Sequence, residues 1–212
     1  KVCGVRDVDT ARHIADAGAD AIGLNFYAGS SRVVTPSVAA QIVRGLPASV
    51  EPIGLFVNAS AKEIQSVATD CGLRTLQLHG DEPPELLAEL SEFRLIRAFR
   101  VGDEGLGQLN AELDKLQGLG VRLQACLVDA RVEGAYGGTG RTAPWDLLAA
   151  EWRQAERPPL VLAGGLTPEN VSEACRTAHP WGVDVAGGVE TAPGVKDPNL
   201  VRRFIENARA AS

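Results

Sequence analysis

The sequence alternates eight times between short apolar runs and amphipathic stretches, and this alternation restricts the fold more than any other feature. We predict strands at residues 1–4, 20–26, 52–57, 75–79, 95–101, 124–130, 160–163 and 183–186. We predict helices at residues 7–17, 36–46, 61–71, 83–90, 104–119, 144–154, 168–177 and 197–210. Near-continuous apolar strands are typical of a parallel sheet that is covered by helices. Eight strand–helix units predict an α/β fold with a closed (β/α)8 TIM barrel, and a doubly wound open sheet is the alternative.

Three of the predicted helices carry a start signal. Thr35-Pro36, Thr167-Pro168 and Asp197-Pro198 each place a capping side chain before a proline. The oxygen of Thr or Asp accepts a hydrogen bond from the first turn, and proline fits the first helical position because the N–H group there has no partner. We therefore expect helices to begin at these three prolines.

The length and composition fit one globular domain. A chain of 212 residues is within the size range of α/β barrels that form single units. Its apolar content of 45% and charged content of 23% are ordinary for globular proteins. The sequence starts at Lys1 without Met and directly in an apolar stretch, so we expect a few residues to precede it. Residues 1–212 are interpreted as a single barrel.

The charge and the cysteines exclude several classes of partner. A net charge of −6 without a basic run disfavours nucleic acid and anionic membranes, because both require clustered Lys and Arg. No apolar run approaches the ~20 residues of a membrane span, and no signal peptide is visible.

Cys3, Cys71, Cys126 and Cys175 form no CxxC pair. We therefore expect free thiols and a cytoplasmic location.

Reactive side chains stand at the ends of several predicted strands, where barrels of this type place their active sites. Cys3 ends strand 1, Arg32 lies in the loop after strand 2, His79 ends strand 4, Asp129 ends strand 6, and residues 97–100 of strand 5 include two arginines. Arg32 is either a surface residue or a bidentate clamp for a carboxylate. A lone His is more often structural, but we place His79 in the site as a positioning, substrate-binding group. No second His or paired carboxylate is spaced to bind a metal with it, so we expect no metal site.

Two glycine pairs follow strands 7 and 8. Gly164-Gly165 lies in AGGLTPENV and Gly187-Gly188 in VDVAGGVE. Loops after these two strands often bind phosphate in this fold, together with the N-terminus of a short extra helix. Glycine allows backbone N–H groups to approach an anion closely. A single pair would indicate only a tight turn, but two pairs at these strands predict a phosphate site.

One ion pair is expected inside the barrel. Side chains alternate along a strand, so Lys1 shares a face with Cys3, and Asp184 points inward from strand 8. Because strands 1 and 8 are neighbours in a closed barrel, we predict that Lys1 and Asp184 approach each other, since neither charge is tolerated there alone. The ammonium would lower the pKa of Cys3 from ~8.5, and a paired Asp184 would reduce that effect. The thiol could be a base, a nucleophile or a small apolar filler.

Together, these segments resemble the phosphoribosylanthranilate isomerase family, the cofactor-free isomerases of tryptophan biosynthesis. KVCG resembles the family's KICG start, and GLNFYAGSSRVVTP resembles its loop after the second strand. GLFVN, LQLHG, LVDA, GGTG, AGGLTPENV and GVDVAGGVE follow in the family's order and spacing, over essentially the whole chain. The motifs KICG, QLHG and GGTG are specific in combination, although each alone would be weak.

The resemblance implies a substrate and roles for named residues. The substrate would be N-(5′-phosphoribosyl)anthranilate, a small phosphorylated molecule, and the reaction an Amadori rearrangement that needs no cofactor. Cys3 would be the base, Asp129 the acid and Arg32 the ligand of the substrate carboxylate. The phosphate would lie at the two glycine pairs, Gly164, Gly165, Gly187 and Gly188. We expect either a monomer or a homodimer.

Two features near the implied site have further consequences. Asp129 would have to be protonated when the substrate arrives, so we expect a shielded setting that raises its pKa. The glycines of residues 137–140 would let a loop close over the site and exclude water, although a disordered surface loop is the alternative. Ala186-Gly187-Gly188 stands where the family commonly has Ser-Ser-Gly. If the lost hydroxyls bound phosphate, each loss weakens binding by about 1 kcal/mol.

Two other functions are compatible with the same residues. A sugar-phosphate isomerase of histidine biosynthesis uses the same Amadori chemistry. Paired Asp residues after strand 1 and after strand 5 or 6 would favour that enzyme, and Cys3 in place of an Asp argues against it. A non-catalytic barrel that binds a sugar phosphate or a protein would not need both Cys3 and Asp129.

Overall fold

Eight parallel strands form one sheet in sequence order, from β1 to β8. The structure, a computed structural model, describes residues 1–102, 105–130, 144–152 and 157–211. The strands are β1 (Val2–Cys3), β2 (Ala21–Asn25), β3 (Glu51–Phe56), β4 (Thr75–Leu78), β5 (Arg94–Val101), β6 (Leu123–Ala130), β7 (Leu160–Leu162) and β8 (Gly182–Val183). All eight predicted strands are confirmed in position, with ends that differ by a few residues.

Hydrogen bonds between the first and last strands close the sheet. Val2 pairs with Val185 in a parallel bridge just beyond β8. The Cys3 N–H donates to the Val185 carbonyl at 2.8 Å, and the Lys1 amino group donates to the Val183 carbonyl at 2.8 Å. The predicted closed (β/α)8 barrel is therefore confirmed, and the open sheet is wrong.

A helix follows each strand. The helices are α1 (Val8–Asp16), α2 (Pro36–Gly45), α3 (Ala61–Cys71), α4 (Pro84–Glu89), α5 (Gly107–Gly118), α6 (Trp145–Glu151), α7 (Val171–Ala178) and α8 (Pro198–Ala210). A short 3-10 helix (Gly187–Val189) and a hairpin of β9 (Glu190–Ala192) and β10 (Val195–Lys196) lie between β8 and α8. Among the described helices, none is both long and apolar enough to cross a membrane.

Two of the three predicted helix starts are confirmed. Thr35 and Asp197 accept hydrogen bonds from the first turns of α2 and α8, whose first residues are prolines. The start at Pro168 is wrong, because α7 begins at Val171. There, the Thr167 hydroxyl accepts from the Glu169 N–H and the Asn170 side chain accepts from the Thr167 N–H. These side chains close a turn that competes with the helix and delays its start.

The core has two layers. A large outer cluster fills the space between the sheet and the helices. A smaller cluster fills the barrel interior and comprises Ile53, Ile96, Ala98, Ala125, Leu127, Val161 and Ala163. Leu127 lies in this inner cluster, so Asp129, two residues later on β6, also faces inward. The strand alternation thus directs a carboxylate from the apolar interior toward the barrel mouth.

Candidate active site

One cavity at the carboxyl ends of the strands brings together eight of the residues that the sequence indicated. Its volume is about 700 Å³. Its lining includes Cys3, Arg32, His79, Asp129, Gly164, Gly165, Gly187 and Gly188. A thiol, a guanidinium, an imidazole, a carboxylate and two glycine loops therefore meet in one space.

Cys3 is the buried thiol at the edge of this cavity. Its side chain is held against β2 because Gly23 leaves room: a Cβ at residue 23 would lie 2.6 Å from the Cys3 Sγ. Burial raises the pKa of the Cys3 thiol. The charge of Lys1 opposes this rise, Asp184 adds to it, and Lys196 opposes it. The thiol is thus a group whose protonation depends on its charged neighbours.

The predicted ion pair inside the barrel is confirmed. The Lys1 Nζ lies 2.8 Å from the Asp184 Oδ1, and the two side chains are only 7% and 8% exposed. Burial disfavours the charged form of Lys1, but Asp184 and Cys3 outweigh it, so the pKa of Lys1 is raised. A buried cation therefore remains charged below the mouth of the barrel.

Arg32 crosses the end of β1 because Gly4 has no side chain. Gly4 has a φ of +80°, and a Cβ there would lie 2.5 Å from the Arg32 Cδ. The guanidinium then meets the Glu190 carboxylate with two hydrogen bonds, from Nε at 2.9 Å and from Nη2 at 2.7 Å. Hydrogen bonding to Glu190 raises the pKa of Arg32. This bidentate pair fixes the plane of the guanidinium in the cavity wall.

Glu190 also binds a second cation. The Lys196 Nζ donates to the Glu190 Oε1 at 2.7 Å and to the Ala186 carbonyl at 3.0 Å. Burial alone would raise the pKa of Glu190, but Arg32 and Lys196 outweigh it and hold that pKa below its usual range. We call Arg32, Glu190 and Lys196 the Glu190 cluster.

Sequence reasoning did not identify Glu190 or Lys196 as site residues. Glu190 and Arg32 are 158 positions apart, and no spacing rule connects them. The available signal was weak: Glu190 lies two residues after the second glycine pair, in AGGVE. A carboxylate next to a proposed phosphate loop could have indicated a partner for a nearby cation.

Asp129 and His79 face each other across the cavity. The two residues are 5% and 7% exposed, and the His79 Nε2 lies 3.7 Å from the Asp129 Oδ2. The Gln77 Nε2 lies 2.8 Å from the His79 Nδ1. With Gln77 as the donor, the Nδ1 accepts and the hydrogen on the Nε2 faces Asp129. This contact supports His79 as a group that positions the carboxylate.

The two glycine pairs form a wall of backbone. Gly164 and Gly165 have φ of +81° and +61°, which side chains rarely adopt. A Cβ at Gly188 would overlap the Leu166 carbonyl oxygen, so the two loops meet backbone to backbone. Gly187 starts the 3-10 helix, where the first N–H groups have no partner within the helix. The N–H groups of these four glycines donate to no other described backbone oxygen. They are suited to bind an anion.

The strand-5 arginines lie outside this site. Arg97 pairs with Glu82 at 2.5 Å and with Glu112 at 2.6 Å. Arg100 pairs with Asp81. Both arginines line a different, smaller cavity, so β5 supplies structural ion pairs instead of site residues.

Three further expectations concern metal, the glycine stretch and the cysteines. The absence of a metal site stays a prediction; within the described ranges, no group of His, Cys, Asp and Glu is arranged to hold a metal ion. Residues 137–140, the predicted mobile glycine stretch, lie outside the described residues. The four cysteines are all free.

Comparison with known proteins identifies the family of this chain. A family model described as N-(5′phosphoribosyl)anthranilate (PRA) isomerase matches residues 1–207. The N-(5′-phosphoribosyl)anthranilate isomerase of Geobacter sulfurreducens is 47% identical over 209 residues, which cover 99% of this chain and 97% of that protein.

Solved structures agree with this match. The phosphoribosyl anthranilate isomerase of Thermotoga maritima has a TM-score of 0.87 at 34% identity, with 99% of this chain and 97% of that chain covered. Another structure of such an isomerase, in complex with reduced 1-(o-carboxyphenylamino)-1-deoxyribulose 5-phosphate, has a TM-score of 0.84 at 33% identity, with the same coverage of 99% and 97%.

Proposed function

The chain belongs to the N-(5′-phosphoribosyl)anthranilate isomerase family, and we propose that Cys3 is the general base and Asp129 the general acid of its reaction. That reaction is the Amadori rearrangement of N-(5′-phosphoribosyl)anthranilate to 1-(2-carboxyphenylamino)-1-deoxyribulose 5-phosphate, a step of tryptophan biosynthesis. It is an intramolecular oxidoreduction, so hydrogen moves within one molecule and no cofactor is required. Residues 1–212 act as a single domain in this proposal.

The observation that carries the proposal is the arrangement of one cavity. A thiol and a carboxylate line it together with two different candidate anion sites, Arg32 and the glycine loops. The substrate has a carboxylate on its aromatic ring and a phosphate on its sugar. Arg32 suits the planar carboxylate because a guanidinium binds it with paired hydrogen bonds. The backbone N–H groups of the glycine loops suit the phosphate.

The reaction then needs two proton transfers at the sugar. The protonated Asp129 gives its proton to the furanose ring oxygen, the C1′–O bond breaks and an iminium forms at the anthranilate nitrogen. The Cys3 thiolate takes the proton from C2′, and the electrons of that bond neutralise the iminium to give an enolamine. The enolamine tautomerises to the ketone. General acid–base catalysis of this kind contributes roughly 10²–10⁴-fold to a rate.

Arg32 keeps donors for the substrate although it is paired. Its Nε and Nη2 are engaged with Glu190. In the described part of the chain, the Nη1 of Arg32 makes no hydrogen bond, and a guanidinium has five N–H donors. Glu190 therefore orients Arg32 without using all its donors, and we propose that the Nη1 binds the substrate carboxylate.

A direct assay distinguishes this proposal from the two alternatives. The purified protein is given N-(5′-phosphoribosyl)anthranilate, and the loss of anthranilate fluorescence is followed. We expect turnover with this substrate and none with the aminoimidazole sugar phosphate of histidine biosynthesis. Turnover of only the latter would favour the related isomerase. Saturable binding without turnover of either substrate would favour a non-catalytic barrel.

A further inference from the structure

A buried ion pair lies directly below the proposed base. Lys1 is two residues before Cys3, so both side chains lie on the inward face of the first strand. Asp184 approaches from the neighbouring strand at the closure of the barrel, 2.8 Å from the Lys1 Nζ. Burial of two charges costs free energy that a single contact seldom offsets completely. An ion pair in this place therefore calls for a role besides stability.

The Lys1 ammonium lies within reach of both Asp184 and the Cys3 thiol, and it lowers the pKa of that thiol. Its contact with Asp184 is short, but the Lys1 Nζ and the Asp184 Oδ1 both lack a hydrogen bond of acceptable geometry. An ammonium has three N–H donors, and an unsatisfied buried donor is costly. A thiolate at Cys3 is an acceptor that would satisfy one of them. The ammonium would thus gain most when Cys3 loses its proton.

The other charged groups that face Cys3 already have partners. Lys196 and Arg32 are both bonded to Glu190. The Lys1 backbone nitrogen donates to a backbone carbonyl of β8. Lys196 and Arg32 add positive potential, whereas the Lys1 side chain has an N–H group to offer.

We propose that Lys1 and Asp184 are positioning residues that act on the proposed base in opposite senses. Lys1 stabilises the thiolate of Cys3, and Asp184 holds the ammonium in place while it weakens that stabilisation. This inference rests on the proposed function only for the catalytic use of Cys3 as a base. The effect of Lys1 and Asp184 on the pKa of Cys3 can be measured without any substrate.

The test measures the alkylation of Cys3 by iodoacetamide over a range of pH, because only the thiolate reacts. Mass spectrometry of the peptide that contains Cys3 separates it from the three other cysteines. In Lys1→Met, we expect alkylation near neutral pH to slow about tenfold, the effect of one pKa unit on the thiolate fraction. In Asp184→Asn, we expect alkylation to become several-fold faster. Arg94→Gln, which removes a charge at the opposite end of the barrel, leaves the rate unchanged.

The opposite signs distinguish this role from a structural one. If the pair only supported the fold, both variants would loosen the site and speed alkylation together. The proposal would be overturned if the alkylation rate changed in the same direction in both variants, or if it did not change in Lys1→Met. The double variant Lys1→Met/Asp184→Leu replaces the pair with two apolar side chains, which buried pairs often tolerate. We expect slower alkylation there too, and an unchanged rate would overturn the proposal even if the single variants do not fold.

The same variants separate this inference from the proposed function. If Cys3 is the base, the rise of kcat/KM with pH moves to higher pH in Lys1→Met, because the thiolate forms later. A shifted alkylation profile with an unshifted rate profile would keep the ion-pair role but remove Cys3 as the base. Unshifted profiles in both measurements would remove the ion-pair role and leave the proposed function intact.

Discussion

The two ends of the barrel use charged side chains differently. At the end opposite the active site, Glu51 and Arg94 pair at 2.5 Å while 36% and 50% exposed, and Asp20 and Arg209 pair at 3.1 Å while more exposed still. Water screens such pairs, so each contributes little to stability. In the active-site cavity the charges are largely buried, and in the Glu190 cluster one carboxylate binds two cations.

The difference also appears in unsatisfied atoms. Four of the buried polar atoms without a hydrogen-bond partner belong to the barrel interior or the cavity, and they are Lys1 Nζ, Gln77 Oε1, His79 Nε2 and Asp184 Oδ1. Buried polar groups are normally bonded, so exceptions ask for an explanation. Of these groups, Lys1 and Asp184 are the two that we propose to act on Cys3, and His79 is the one that we propose to position Asp129. We therefore expect substitutions at the active-site end to change activity and stability strongly, and substitutions at the opposite end to change them little.

The largest effect is expected from Asp129→Asn. The amide cannot donate the proton that opens the furanose ring, so kcat falls by about 10²–10⁴-fold. Steady-state kinetics with fluorescence detection measure this, and a melting curve controls for folding. If kcat falls less than about tenfold in the folded variant, Asp129 is not the general acid.

Glu190→Gln tests the Glu190 cluster. The substitution leaves two cations without a carboxylate, and removal of one partner of a buried pair typically costs about 3–5 kcal/mol. Because Arg32 is partly exposed, we expect the lower end of this range, together with a higher KM from a misoriented guanidinium. Urea unfolding and the KM measure the two effects. A lower KM would mean that Glu190 competes with the substrate for Arg32.

The parent protein and Glu190→Gln should also differ in how their free energies of unfolding depend on pH. The folded-state pKa of Glu190 lies below its usual range, because Arg32 and Lys196 outweigh burial. The stability that Glu190 contributes is therefore fully present above its unfolded pKa of about 4.3 and is lost as the pH falls through the lower folded value. Urea unfolding at several pH values should show a constant difference between the two proteins at neutral pH and a shrinking one below pH ~4. A difference that grows on acidification would contradict this account.

Gly188→Ala tests the contact between the two glycine loops. The added Cβ would overlap the Leu166 carbonyl oxygen, so the loops must separate. Overpacking of this kind costs about 1–3 kcal/mol of stability, and we expect a higher KM with a smaller change in kcat. Gly118→Ala is the matched control, because a Cβ there meets nothing within 4 Å. Equal effects of the two substitutions would show that the close approach is unimportant.

Arg94→Gln is expected to have the smallest effect. Its pair with Glu51 is exposed, and such pairs are worth about 0–1 kcal/mol. The free energy of unfolding should change within that range, with kcat and KM unchanged. A loss of activity would contradict the proposal that charged pairs at the end opposite the active site do not affect catalysis.

Much of the fold could be predicted from the sequence because each strand–helix unit is local. Alternation identified all eight strands, and their number predicted closure. Closure in turn placed Lys1 beside Asp184, although they are at opposite ends of the sequence. The predicted start at Pro168 failed because a turn built by Thr167 and Asn170 competes with the first helical turn.

The site was predictable only in part. The ends of parallel strands converge, so Cys3, His79 and Asp129 could be placed in one mouth from their positions alone. Glu190 and Lys196 could not, because they lie on a hairpin whose path depends on tertiary contacts. The state of Asp129 when the substrate arrives stays a prediction.

The central claim is that the thiolate of the buried Cys3 removes the C2′ proton. The most direct measurement is the turnover of N-(5′-phosphoribosyl)anthranilate by Cys3→Ala beside the parent protein. We predict a loss in kcat of about 10²–10⁴-fold, with little change in KM because the anion sites remain. Turnover within a few-fold of the parent protein would contradict the account and place the base elsewhere in the cavity.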